Sequence, residues 1–284
     1  MRELIQWLKP YRLSCIEKNH LAGIEMYLQR PGSDPCEREN LAIRCSSENG
    51  WWYIVLRLLQ DSRVDPSAQK NYAIRLASEK GHIKVVNLLL QDPRVDPSDG
   101  ENSAICFAAE NGHLEVVARL LKDKRVDPAA SQNYAIWIAS ENGHLAVVDC
   151  LLRDSRVDPG ADDNYAIWAA AKNGHASVVK RLLQDKRVNP SASQKFPLFV
   201  AAENGHLAVV DCLLNDRRIH PGAFQNYAIL IASGNGHVAV VKRLMEDSRV
   251  TPSDANNRAL WLAAKNKHLR VVQVLYQDPR VGYY

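Results

Sequence analysis

The chain has 284 residues, 46% of them hydrophobic, and a net charge of +4 spread along its length. That balance is too mild to imply a nucleic-acid or membrane-surface protein. No run of 18 or more apolar residues occurs, so nothing is long enough to span a bilayer, and Met1–Leu8, with Glu3 inside it, lacks a signal-peptide core.

A 31-residue period organises the rest. An Asn-X-Ala-Ile/Leu block opens at Asn40, Asn71, Asn102, Asn133, Asn164, Asn226 and Asn257, and the register at 195 reads Lys195-Phe196-Pro197-Leu198. A fixed period of this size predicts a solenoid whose units touch only their neighbours. In chain order, residues 1–39 hold an N-terminal helix and a degenerate capping unit, in which His20, Leu28 and Asp34-Pro35 keep the register. Residues 40–256 hold seven regular units, and 257–284 a capping unit in which Lys267 replaces a recurrent glycine.

The unit from Asn133 shows the pattern. Tyr134–Ser140 predicts a short first helix, with Ala139 small where two helices approach. Gly143 breaks the chain, where a positive φ is commonly required. A second helix is expected from about Leu145 to Arg153, its apolar stripe formed by Leu145, Val147, Val148, Leu151 and Leu152. Val157-Asp158-Pro159 then leaves as an extended segment, because proline blocks helix continuation. Gly160 to Asp163 forms the tip that turns back.

This unit resembles the ankyrin repeat. The resemblance rests on Ala139-Ser140-Glu141-Asn142-Gly143-His144-Leu145-Ala146-Val147-Val148-Asp149-Cys150-Leu151-Leu152, which is similar to the family's A-A-x-x-G-H-L-x-x-V-x-x-L-L core. Phe196-Pro197-Leu198-Phe199 comes closest to the family's T-P-L-H opening, elsewhere replaced by Tyr-Ala-Ile-Trp. The 31-residue Arg-Val-Asp-Pro form also looks like the arrays of amoebae and their giant viruses. The resemblance implies an all-α solenoid of stacked helix-turn-helix units with extended tips.

Several recurrent residues invite a chemical reading. His20, His82, His113, His144, His175, His206, His237 and His268 share one position, but equivalent positions lie about 10 Å apart along a stack. No two could share a metal, so each is expected to start the second helix and bond locally. Asp61, Asp92, Asp123, Asp154, Asp185, Asp216, Asp247 and Asp278 each stand two residues before an arginine. Eight such pairs suit a ladder stitching unit to unit better than catalysis. On the second helices Asp149 and Asp211 alternate with Lys180-Arg181 and Lys242-Arg243, a solvated and partly paired face. Cys15, Cys45 and Cys106 read as small buried hydrophobes. Cys150 and Cys212 lie two units apart, beyond disulfide reach, which fits a reducing, cytoplasmic compartment, that of a host cell included. No nucleophile–base set, phosphate loop or metal cluster appears.

One first-helix position varies within the otherwise constant unit: Arg44, Arg75, Cys106, Trp137, Trp168, Phe199, Leu230 and Trp261. The resemblance places it at the border of the family's concave face and makes Glu141, Lys172, Glu203 and Lys265 positions that commonly contact partners. The rings could line a groove or fill gaps between first helices. Phe224 marks a variable tip, and Tyr72, Tyr134, Tyr165 and Tyr227 are expected to brace neighbouring tips. The expected function is a non-enzymatic, monomeric scaffold or adaptor without cofactor. Its protein partner is held by Trp137, Trp168, Phe199, Leu230, Trp261, Glu141, Lys172, Glu203, Lys265 and Phe224, with no nucleic acid, membrane or small-molecule substrate. The near-identity of the units leaves a structural rod or virion-associated spacer as the alternative.

Overall fold

The computed structural model describes residues 16–191 and 196–281. Expectations for Met1–Leu8, Cys15, Lys195 and Tyr283-Tyr284 lie outside the described residues. Among the described residues every regular element is a helix. The chain divides into two compact units, Met1–Ala135 and Ile136–Tyr284.

The first holds α1 (Ile16–Gln29), α2 (Glu37–Glu48), α3 (Trp52–Leu59), α4 (Ala68–Glu79), α5 (Ile83–Gln91), α6 (Asp99–Glu110) and α7 (Leu114–Leu120). The division falls within α8 (Ala130–Glu141). The second continues with α9 (Leu145–Leu152), α10 (Ala161–Lys172), α11 (Ala176–Leu183), α12 (Pro197–Glu203), α13 (Leu207–Leu214), α14 (Ala223–Gly234), α15 (Val238–Met245), α16 (Asp254–Lys265) and α17 (Leu269–Tyr276). Within each, first helices stack on first helices and second helices on second helices, as α2 on α4 and α9 on α11.

The core is a seam repeated at each step. Ala73 and Ile74 of α4 are buried with Val85, Val86 and Leu89 of α5, and Ala166 and Ile167 of α10 with Val178, Val179 and Leu182 of α11. These second helices are only eight or nine residues long. Helices so short are marginal in isolation, so packing of this apolar stripe sustains them.

The helix pair turns at glycine, as expected. Gly205 adopts φ 75°, and a Cβ built there would sit 2.6 Å from Nδ1 of His237 in the next repeat. Both backbone and space therefore exclude a side chain.

The tip differs from the expectation. Instead of a plain polar loop running into the first helix, three successive residues occupy the left-handed region. In α8 these are Ser131, Gln132 and Asn133, at φ 51°, 60° and 63°. The same turn recurs at Gln69–Asn71, Asp162–Asn164 and Phe224–Asn226. A non-glycine residue is disfavoured there by roughly 1–2 kcal/mol, so the surroundings must hold the turn in place.

Candidate functional site

Three sets of side-chain bonds hold one repeat to the next. The asparagine that ends each left-handed turn is buried, and at Asn40, Asn71, Asn102, Asn164 and Asn226 its side-chain oxygen accepts a backbone N–H from the following tip. Asn71 accepts from Asp96 at 2.8 Å, Asn102 from Asp127 at 2.8 Å and Asn164 from Asn189 at 2.8 Å. The turn tolerates asparagine better than most residues, and the turn delivers the amide to its partner.

The arginines form the second set, and they correct the expected ladder. Each Asp–Arg pair closes within its own repeat: Asp92 holds Arg94 by bonds of 2.9 and 2.6 Å. The remaining guanidinium N–H groups cross to the preceding repeat, where Arg94 donates to the Val64 carbonyl at 2.7 Å and to Leu59 at 3.4 Å. Arg218 does the same to Val188 and Leu183, at 2.7 and 2.8 Å. The aspartate thus aims a planar fork at carbonyls exposed at a helix end. That fork lowers the aspartate pKa throughout, to about 2 at Asp61.

The histidines make the third set. The seven from His82 to His268 begin second helices, as expected, whereas His20 lies within the unbroken α1, and the bonds of His82, His113, His175, His206 and His237 are not local. The ring nitrogen Nε2 of His113 meets the carbonyl of Glu79 at 2.9 Å, and that of His206 the carbonyl of Lys172 at 2.8 Å. Every such bond joins a histidine to the last turn of the preceding first helix. Among the described residues no group of three or more His, Cys, Asp or Glu could hold a metal ion.

On the second helices the alternating charges pair off. Arg243 reaches Asp211 at 2.5 Å, Arg181 pairs with Asp149, and Arg57 meets Glu25 at 2.6 Å. Burial pushes the Cys106 thiol up to about 12, so it is a protonated apolar filler. Cys45, Cys150 and Cys212 are half-buried.

The variable first-helix position forms a row of mixed character. Trp137, Trp168, Phe199 and Leu230 are half-buried, while Trp261 is 56% exposed. Of the tyrosines expected to brace tips, three pack against the row. Tyr165 stands between Trp137 and Trp168, with ring centroids 4.9 and 5.2 Å away. Tyr72 stands likewise between Arg44 and Arg75, whose guanidinium carbons lie 5.8 and 5.1 Å from its ring. Tyr72 and Tyr165 are therefore spacers between consecutive members of the row. Packing and exposure coexist: Trp137, Trp168 and Phe199 each meet a tyrosine and stay only half-buried.

The neighbouring charged residues divide. Lys172 and Lys265 are exposed and place their ammonium groups 5.2 and 4.8 Å from the Trp168 and Trp261 rings. Glu203 is exposed, and Glu141 is half-buried. Phe224, 64% exposed, joins Phe196 and Phe199 at 4.9 and 5.8 Å, and Phe199 meets Tyr227 at 5.1 Å. The three phenylalanines of this cluster line a cleft of about 260 Å³. Phe196 was absent from the sequence-derived set; it is the extended residue just before α12, and its ring lies 4.8 Å from Phe199.

A sequence model described as ankyrin repeats, in three copies, matches residues 41–132, 74–163 and 136–224. No curated protein matches the chain.

Proposed function

Since the chain belongs to the ankyrin-repeat family, whose repeats generally serve as protein–protein interaction modules, we propose that it is a non-enzymatic scaffold or adaptor. It binds a protein partner through the first-helix row and the tips. One observation carries this reading. Within a unit whose joining bonds recur along the array, side chains that change include ones with an open face: the row from Trp137 to Trp261 and the tip residue Phe224.

The chemistry of that row suits a protein surface. Aromatic rings anchored on one side lose little freedom when a partner covers the other, and such anchors supply most interface energy. Lys172, Lys265, Glu141 and Glu203 would then set which charges are accepted alongside them. The second-helix face favours neither nucleic acid nor an anionic lipid surface, because Arg181 and Arg243 are engaged by Asp149 and Asp211. No described helix is long and apolar enough to cross a membrane. Our reading also makes the protein a cytoplasmic monomer without cofactor or small-molecule substrate.

Affinity capture from the producing cells, followed by mass spectrometry, tests the proposal. The control is a Trp261→Ala/Phe224→Ala variant, chosen because both rings are mostly exposed and the fold should survive their loss. A stoichiometric partner lost in the variant supports the reading. A partner retained at full strength by the variant, or none captured by either protein, overturns it.

A further inference from the structure

The asparagine brackets define a rule that the sequence breaks at position 195. Asn164 accepts the Asn189 N–H and Asn226 the Thr251 N–H, each at 2.8 Å and each across 25 residues. The same register between them pairs Lys195 with His220. Lysine has no side-chain acceptor, so this bracket cannot form. A second turn bond is altered at the same place. Asp158 accepts the Gly160 N–H at 2.9 Å and Asn189 the Ser191 N–H at 3.1 Å, whereas position 220 offers an imidazole instead of a carbonyl-type oxygen.

What stands there instead is apolar. Phe224 begins the left-handed turn at φ 51°, an unusual setting for a bulky side chain, at a position held elsewhere by Arg38, Gln69, Gly100, Ser131 and Asp162. Its ring lies 4.9 Å from Phe196, over a cleft whose walls include Pro190, Pro197, Ile219 and His220. The root of this tip is firmly held. Arg218 donates to the Val188 and Leu183 carbonyls at 2.7 and 2.8 Å, and Ser191 Oγ donates to the Arg218 carbonyl. The far end is held too, by the Asn226 bracket.

We propose that residues 220–226 form a latch, the built-in opening point of this part of the array. The tip is closed by the Phe224 ring where its counterparts are closed by an amide bracket. It moves away first, between the Arg218 clamp and Asn226, and its opening uncovers Phe196 and Phe199. Elements that open locally are those with fewer backbone hydrogen bonds to hold them.

Native-state hydrogen exchange read by mass spectrometry tests this on the whole chain, after correction for intrinsic rates. Amides of 220–226 should exchange at least about fivefold faster than those of 158–164 and 96–102, the factor carried by one ordinary hydrogen bond. Lys195→Asn/His220→Asp should restore the bracket and slow 220–226 to the rate of 158–164. Phe224→Ser, which installs the residue found at 131, should speed it further and leave 158–164 unchanged. Equal exchange at 220–226 and 158–164 in the unaltered protein would overturn the proposal, even if a variant failed to fold. So would a folded Lys195→Asn/His220→Asp protein with unchanged exchange, or a Phe224→Ser protein no faster than its parent.

Discussion

Replacing Asn71 by alanine removes one bracket, and the structure allows its cost to be worked out. The side chain is 4% exposed and makes two bonds. Its oxygen accepts the Asp96 N–H at 2.8 Å, and its nitrogen donates to an Asp99 carboxylate oxygen at 2.9 Å. Loss of the acceptor leaves an N–H unpaired, at about 1–3 kcal/mol, and loss of the donor removes about 0.5–1 kcal/mol. The residue also sits at φ 54°, where alanine costs about 1 kcal/mol more than glycine. Asn71→Ala should therefore destabilise by about 3 kcal/mol and Asn71→Gly by about 2 kcal/mol, the difference being the backbone part. Urea melts followed by circular dichroism and tryptophan fluorescence measure both. An Asn71→Ala protein within about 0.5 kcal/mol of its parent would refute the bracket as a source of stability. A glycine variant as damaged as the alanine variant would refute the strain argument.

Three further outcomes follow from the same geometry. The Ser78 hydroxyl is buried without a hydrogen-bond partner among the described residues, and alanine stands at the equivalent Ala109 and Ala171. Ser78→Ala should leave stability unchanged or raise it by up to about 1 kcal/mol in the same melts, and a loss would show that the hydroxyl is bonded. Gly205→Ala should destabilise by about 2 kcal/mol or more, since a Cβ meets the His237 ring and φ is 75°. A His237→Ala background should recover the steric part of that loss. Finally, the aspartates clamping the arginines have folded pKa values below the ordinary 3.8, about 2 for Asp61. Their contribution is complete above about pH 4 and disappears as pH falls through the folded values. Urea midpoints attributable to the clamps should hold steady from pH 7 to 5 and fall between pH 4 and 2. A charge-removing Asp61→Asn variant should show a smaller drop in that window.

The helices and their joints were legible in the sequence because their causes are local. An apolar stripe such as Val147, Val148 and Leu151 declares a buried helix face, and a glycine between two such stretches declares a turn. What joins repeat to repeat was only half legible. Asp92 and Arg94 stand two apart, which announces a pair, but the Val64 and Leu59 carbonyls that complete the clamp belong to the backbone and leave no mark in residue identity. The same holds for His113 and the Glu79 carbonyl. The left-handed turn did leave a sign, the recurrent asparagine, replaced between Asn40 and Asn257 only at Lys195, after two varying residues. The recurrence marked Asn133 as the opening of a unit, but not its burial or three successive positive φ values. For the candidate site, variation picked out the row from Trp137 to Trp261. It could not show that Tyr165 separates two of its members, since both rings could equally have pointed apart.

The reach of these bonds is constant along the chain. Brackets span 25 residues, histidine contacts 34, and the two arms of each arginine clamp 30 and 35. A single inserted residue in a second helix would put every one of these partners out of step at that junction. An exchange of whole 31-residue blocks would leave each donor facing an equivalent acceptor. Such a molecule is closed to small changes of length and open to large ones. Misaligned recombination between near-identical stretches of its gene can add or remove complete repeats, and with them members of the aromatic row, without passing through a chain that cannot fold.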